Sequence, residues 1–179
     1  NILNAHEREL EAKELEHYLV DIVASSQGRS RFYYITSAMG GNYQSQGRFA
    51  LAIEYYLKSL EEAERVGDKE FLANLLLDLG TCYESLELNN KAVEHYAKGI
   101  EIIEELGEKS LWEYANGIIV FPLIAMGEYE EAERYMKLVA DDSLNYSLSN
   151  NEQNFQLARY FDAQGQLLIK QGNYAESIP

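Results

Sequence analysis

The sequence predicts an all-α protein built from antiparallel helix pairs stacked in one direction. Three observations carry that prediction. First, side chains recur at a forty-residue step: Gly40, Tyr43, Ala52 and Tyr56 return as Gly80, Tyr83, Ala92 and Tyr96. Leu123, Ala132 and Met136 fill three of the slots once more, with Val120 in the glycine position. Second, packing residues fall at i, i+3, i+4 and i+7 in Thr36, Met39, Gly40, Tyr43 and in Leu76, Leu79, Gly80, Tyr83, the spacing of one helix face. Third, no stretch alternates apolar and polar residues for long enough to suggest a strand.

In chain order, Asn4 to Val23 reads as the second helix of a preceding pair, and residues 1–30 are assigned to that truncated repeat. Residues 31–68 make the first full repeat, 69–108 the second and 109–148 the third. A fourth, 149–179, follows after a longer step, because Gly127-Glu128-Tyr129-Glu130-Glu131-Ala132 corresponds to Gly172-Asn173-Tyr174-Ala175-Glu176-Ser177. The extra residues are placed in the polar stretch Asp141 to Asn154. Both ends fall inside a repeat, so the chain is read as part of a longer protein.

Within a pair, the first helix is expected to break around Gly47 or Glu87-Leu88-Asn89. The second then runs to Val66 or Leu106 and stops at a glycine, a residue that readily adopts the left-handed conformation past a helix end. Gly40, Gly80, Ala52 and Ala92 are expected to let the two helices approach closely, with Tyr43 and Tyr83 filling the space beside them. Pro122 lacks a backbone donor and sits inside the first helix of the third pair, which predicts a kink helped by Gly117 and an Ile118 carbonyl open to a ligand.

Charge and composition remove several functions. Fifteen Lys and Arg stand against 30 Asp and Glu, a net charge of −15, and a phosphate backbone is held by clustered cations, so nucleic acid is excluded as a partner. A single cysteine, Cys82, excludes an internal disulfide and a multi-cysteine zinc site. The longest apolar run, Ile118 to Met126, is far short of the ~20 residues that span a bilayer. No basic segment followed by an apolar core opens the sequence, and a cytoplasmic protein without membrane contact is expected.

Catalytic chemistry finds no support. The histidines are His6, His17 and His95, and Leu10 stands where a zinc protease starting at His6-Glu7 needs its second histidine. Cys82 precedes a packing tyrosine and reads as a buried thiol. The glutamates Glu61, Glu62, Glu64, Glu101, Glu104, Glu105, Glu130, Glu131 and Glu133 lie along second helices as a solvated face. No catalytic residue, metal or cofactor is assigned.

The pattern resembles the tetratricopeptide repeat. Its first-helix small position is met by Gly40, Gly80, Val120 and Gly165, and its tyrosine position by Tyr43, Tyr83, Leu123 and Leu168. The second-helix alanine is Ala52, Ala92, Ala132 and Ser177, the aromatic Tyr56, Tyr96 and Met136, and the later small residue Ser59, Gly99 and Val139. The usual repeat is about 34 residues, and the longer one here is similar to those of kinesin light chains and many bacterial signalling regulators.

The resemblance implies a right-handed superhelical array whose first helices line a concave, peptide-holding face. On that face fall Tyr34, Ser37, Gly41 and Gln44, then Asn74, Leu77, Thr81 and Glu84, then Tyr114, Gly117, Phe121 and Ile124, then Arg159, Asp162, Gln166 and Ile169. The partner-binding residues assigned from this set are Tyr34, Ser37, Gln44, Asn74, Thr81, Glu84, Tyr114, Phe121, Arg159, Asp162 and Gln166. The first three repeats offer no Lys or Arg here, unlike family members that clamp the terminal carboxylate of chaperones. Aromatic and amide side chains suit packing and hydrogen bonding to a peptide. The expected function is a non-catalytic protein- or peptide-binding scaffold in a regulatory protein. The alternative is a sensing domain that controls a fused kinase, nucleotide cyclase or DNA-binding output. Self-association through exposed array ends is expected to compete with either.

Overall fold

The computed structural model describes residues 32–143, 151–170 and 172, with side chains described at 32–139, 161–170 and 172. Every regular element among them is a helix, and none is a strand. The helix assigned to residues 1–30 and the segment after Gly172 lie outside the described residues. The chain divides into two compact units, Asn1–Asp68 and Lys69–Pro179.

In the first unit, α1 (Phe32–Ser45) and α2 (Phe49–Val66) form an antiparallel pair. The turn between them is held by the Gly47 and Arg48 amides, which donate to the Gln44 and Tyr43 carbonyls at 2.9 Å each. Gly47 takes φ 73°, where a side chain would be strained. Ala52 and Ala63 are fully buried on α2, and the Ser59 hydroxyl donates to the Tyr33 carbonyl at 2.5 Å. Gly67 ends α2 in the left-handed conformation, its amide on the Ala63 carbonyl at 2.9 Å. The expected glycine stop is therefore in place, and Gly107 repeats it after the next pair with φ 72°.

Gly40 does bring the helices together, and the side chain directly against it comes from the second helix. A Cβ added at Gly40 would lie 2.6 Å from the ring of Tyr56, and one at Gly80 would meet the Tyr96 ring closer still. The second-helix tyrosine thus lies flat on the first-helix glycine. Beside that contact, Tyr43 stacks on Tyr55 of the second helix with ring centroids 5.3 Å apart, and Tyr83 lies tilted against His95 at 4.9 Å.

The second unit contains α3 (Lys69–Ser85), α4 (Asn89–Leu106), α5 (Lys109–Ile118), α6 (Val120–Met126), α7 (Tyr129–Ser143) and α8 (Asn151–Lys170). The α3/α4 pair repeats the first pair's geometry, with Tyr96, Ala92 and Leu79 buried at its centre. Its turn places Glu87, not glycine, at φ 59°, and the Leu88 amide reaches the Tyr83 carbonyl at 2.9 Å. α5 and α6 both pack on α4 and on α7, and α8 packs on α5, α6 and α7. Trp112 of α5 ties back to α4, its indole N–H donating to Glu104 at 3.0 Å.

The interruption predicted from Pro122 is present. The first helix of the third pair is split at Ile119, so that α5 ends at Ile118 and α6 starts at Val120. Pro122 itself is fully buried. The bonds that bridge the break are long, Ile119 N–H to Ala115 at 3.3 Å and Leu123 N–H to Ile119 at 3.4 Å.

Candidate functional site

In each unit the candidate face is built by first helices. In the first unit, Tyr34 is exposed, and its hydroxyl donates to Asp68 at 3.0 Å beside the Tyr33 hydroxyl at 2.9 Å. That cluster holds the Tyr33 phenol well above its ordinary range, through the Tyr34 hydroxyl first, then burial and the Asp68 carboxylate. Ser37 is half-buried. Gln44 is half-buried too, and its side-chain oxygen accepts from the Tyr56 hydroxyl at 2.6 Å.

In the second unit, Asn74 is exposed and donates back to the Glu70 carbonyl of its own helix at 2.9 Å. Thr81 and Glu84, one turn apart on α3 and half-buried, meet at a single atom. The Tyr96 hydroxyl, reaching across from α4, lies 2.8 Å from a Glu84 carboxylate oxygen and 3.2 Å from the Thr81 hydroxyl. Tyr114 of α5 is near enough for its field to act on Tyr96. Burial first, and then the Glu84 charge, hold the Tyr96 phenol far above its ordinary value, so it stays a hydrogen-bond donor at any physiological pH. Two of the residues assigned from the sequence (Thr81 and Glu84) thus converge on a tyrosine that sequence reasoning had placed only in the packing.

The signal for that convergence was available. Gln44 precedes Tyr56, and Glu84 precedes Tyr96, by the same twelve positions, and both pairs are bonded. In the third pair the equivalent positions hold Ile124 and Met136, both buried and apolar. Phe121 is half-buried on α6. Asp162 and Gln166 are exposed on α8 and bond to one another at 3.1 Å. Arg159 lies in α8 with its side chain outside the described ones. Two residues expected to face outward do not: Leu77 is 4% and Ile124 2% exposed. Leu77 turns inward because Gly99 on α4 leaves room for it, its Cδ2 lying 3.0 Å from where a Gly99 Cβ would stand.

Charge on these first helices is one-sided. In α3, α5 and α6 the only cations are Lys69 and Lys109, each the first residue of its helix. Lys69 pairs with Glu105 at 2.6 Å, and Lys109 lies 4.0 Å from Glu113. Catalytic groups do not gather here. Cys82 is fully buried, and burial, with the Asp78 charge behind it, pushes its thiol up to about 12. His95 bonds the Lys91 carbonyl at 2.8 Å in its own helix. Among the described residues no group of three His, Cys, Asp or Glu is arranged to hold a metal, and no helix is long and apolar enough to cross a membrane.

Comparison with known proteins agrees with this architecture. Residues 33–105 match the tetratricopeptide repeat model. No curated protein sequence matches the chain. Among solved structures, BtubC from P. vanneervenii is similar at a TM-score of 0.77 and 15% identity, covering 97% of this chain and 70% of its own. A kinesin light chain of Podosopora anserina with nearly identical TPR-like repeats gives a TM-score of 0.68 at 18% identity, covering 97% and 86%. The apo form of RapI gives 0.64 at 17%, covering 90% and 70%. The matched stretch, residues 33–105, holds the two helix pairs in which the glycine–tyrosine packing recurs at a forty-residue step, and over it the chain is similar to the tetratricopeptide repeat family.

Proposed function

We propose that the chain is a non-catalytic scaffold that binds a protein or peptide segment on the first-helix face of its second unit, and that it serves a regulatory protein through that binding. One observation carries the reading: Thr81 and Glu84 converge on the Tyr96 hydroxyl at a half-buried face of α3, a helix whose one cation is its first residue, Lys69. A fixed polar point on first helices that also carry the half-buried aromatics Tyr114 and Phe121 gives contact area at small entropic cost, which is what a docking site for an extended segment needs. The tetratricopeptide match supports the same reading. The net charge of −15 makes a phosphate backbone a poor match for this surface.

Site-specific photo-crosslinking tests the proposal. A benzophenone side chain is placed at Asn74, Thr81 or Phe121, and for comparison at Glu101, exposed on α4. Adducts with one and the same partner at the three first-helix positions and none at Glu101 are the expected result. Adducts that form only from α4, or equally from all four positions, would remove the face from the reading.

A further inference from the structure

We infer that the third helix pair is a hinge: α5, α6 and α7 open as one unit while α3 and α4 stay closed, and the Asn116 carboxamide sets how often they do. The inference stands apart from the docking reading, since Asn116 is no part of the face assigned to a partner. Asn116 lies on α5 and is 1% exposed. Its Nδ2 donates to the Trp112 carbonyl one turn back at 2.7 Å. Its Oδ1 accepts nothing, and among the described residues it is the one buried side-chain oxygen or nitrogen left in that state. A buried acceptor with no donor has given up its bonds to water and gained none in the fold. Opening the pair restores them, so the orphaned oxygen favours the open form.

The other two pairs avoid this conflict. Forty and eighty residues earlier, the same slot holds Leu76 and Thr36. Leu76 brings no polar atom, and the buried Thr36 hydroxyl donates to the Phe32 carbonyl at 3.0 Å. The third pair also lacks the features that close the others. Gly40 and Gly80 each lie under a tyrosine ring, whereas Val120 and Met136 stand in those slots here. Its first helix is split at Ile119, and Pro122 offers no N–H to the Ile118 carbonyl four residues before it. The bonds across the split are long, at 3.3 and 3.4 Å. Local opening follows the least stabilised unit, and in a repeat array one pair can part without unfolding the next.

Hydrogen exchange of the full chain, followed by mass spectrometry in urea below the unfolding transition, tests the hinge. Amides of α5, α6 and α7 are expected to share one opening, populated at least about tenfold more than that of α3 and α4. Asn116→Leu copies the second pair and Asn116→Thr the first. Each is expected to slow exchange in α5 to α7 about tenfold, and in α3 and α4 by less than about twofold. Slowing confined to α5 to α7 in either variant supports the inference. Circular dichroism checks folding; where only one variant folds, that one decides, and failure of both would make the amide essential to the closed form and overturn the inference. Equal opening of the two pairs overturns it, as does protection that falls helix by helix from α5 to α7, which is gradual fraying. Exchange unchanged in both variants, or slowed equally in both pairs, shows that the Asn116 oxygen does not govern a local opening and overturns it as well.

Discussion

Within the second unit, two helix pairs solve one packing problem differently. In α3/α4, Gly80 leaves a gap that the Tyr96 ring fills, and α3 runs unbroken over 17 residues. In the third pair, Val120 takes the glycine slot and Met136 the tyrosine slot, both buried, and the first helix is split at Ile119 ahead of the buried Pro122. A flat ring needs a neighbour with no side chain, whereas a thioether bends around a branched one. The polar consequence follows from the steric one. Only a tyrosine brings a hydroxyl to the outer face, so only α3/α4 has the bond to Glu84, and the third pair buries Ile124 in that place. Close packing and an anchored polar side chain come as a set, with Gln44 in that place in the first pair and Glu84 in the second.

The comparison breaks most visibly if the two solutions are mixed. Gly80→Val should drive a branched side chain into the Tyr96 ring and cost about 3 kcal/mol, read from the urea midpoint. Adding Tyr96→Met, which copies the third pair, should recover at least about 1 kcal/mol of that loss as a coupling energy. Simple additivity of the two substitutions would show that the slots are independent. A milder change, Tyr96→Phe, keeps the ring but removes the donor from Glu84 and Thr81, and is expected to cost about 1 kcal/mol in the same measurement.

Titration separates the pairs too. Asp78 on α3 is held by burial at about 6, up from 3.8. Its carboxyl loses its proton more easily in the unfolded chain than in the fold, so its effect is smallest at low pH and destabilising once both states are charged. Stability should therefore fall as pH rises from 5 to 7, by on the order of 1 kcal/mol from this group, and Asp78→Asn should remove that part of the slope. The smallest effect belongs to the turn before α4. Glu87 holds φ 59°, where the first and third pairs use Gly47 and Gly127. Glu87→Gly should stabilise the chain by about 0.5–1 kcal/mol, and a loss of stability would show that the glutamate side chain is needed there.

Much of this fold can be read directly from residue spacing. Gly40, Gly80, Ala52 and Ala92 sit at helix crossings, Gly67 and Gly107 end their helices in the left-handed conformation, and Pro122 lies next to a break. Periodicity assigns a residue to a face of its own helix, and these features depend on little else. What it could not supply was the partner across the pair. That the ring over Gly80 belongs to Tyr96 depends on how two helices cross, which is a tertiary property. Leu77 was placed outward by its angle on α3, yet the space above Gly99 draws it in. Ile124 was placed outward likewise, and α6 packs on α4, α7 and α8. A helix with neighbours on several sides has fewer open positions than a helical wheel allows. The tyrosine–acid bond was legible only as a twelve-residue coincidence between Gln44–Tyr56 and Glu84–Tyr96, which gains meaning once the short turn is known.

Trp112 gives the molecule its own optical probe. It is the chain's one tryptophan, and its indole is tethered from α5 to Glu104 on the preceding α4. Emission from this single fluorophore therefore tracks whether the third pair stays seated on the second. A red shift that precedes the loss of helical ellipticity would mark neighbouring repeats parting before either unravels, without any dye being attached.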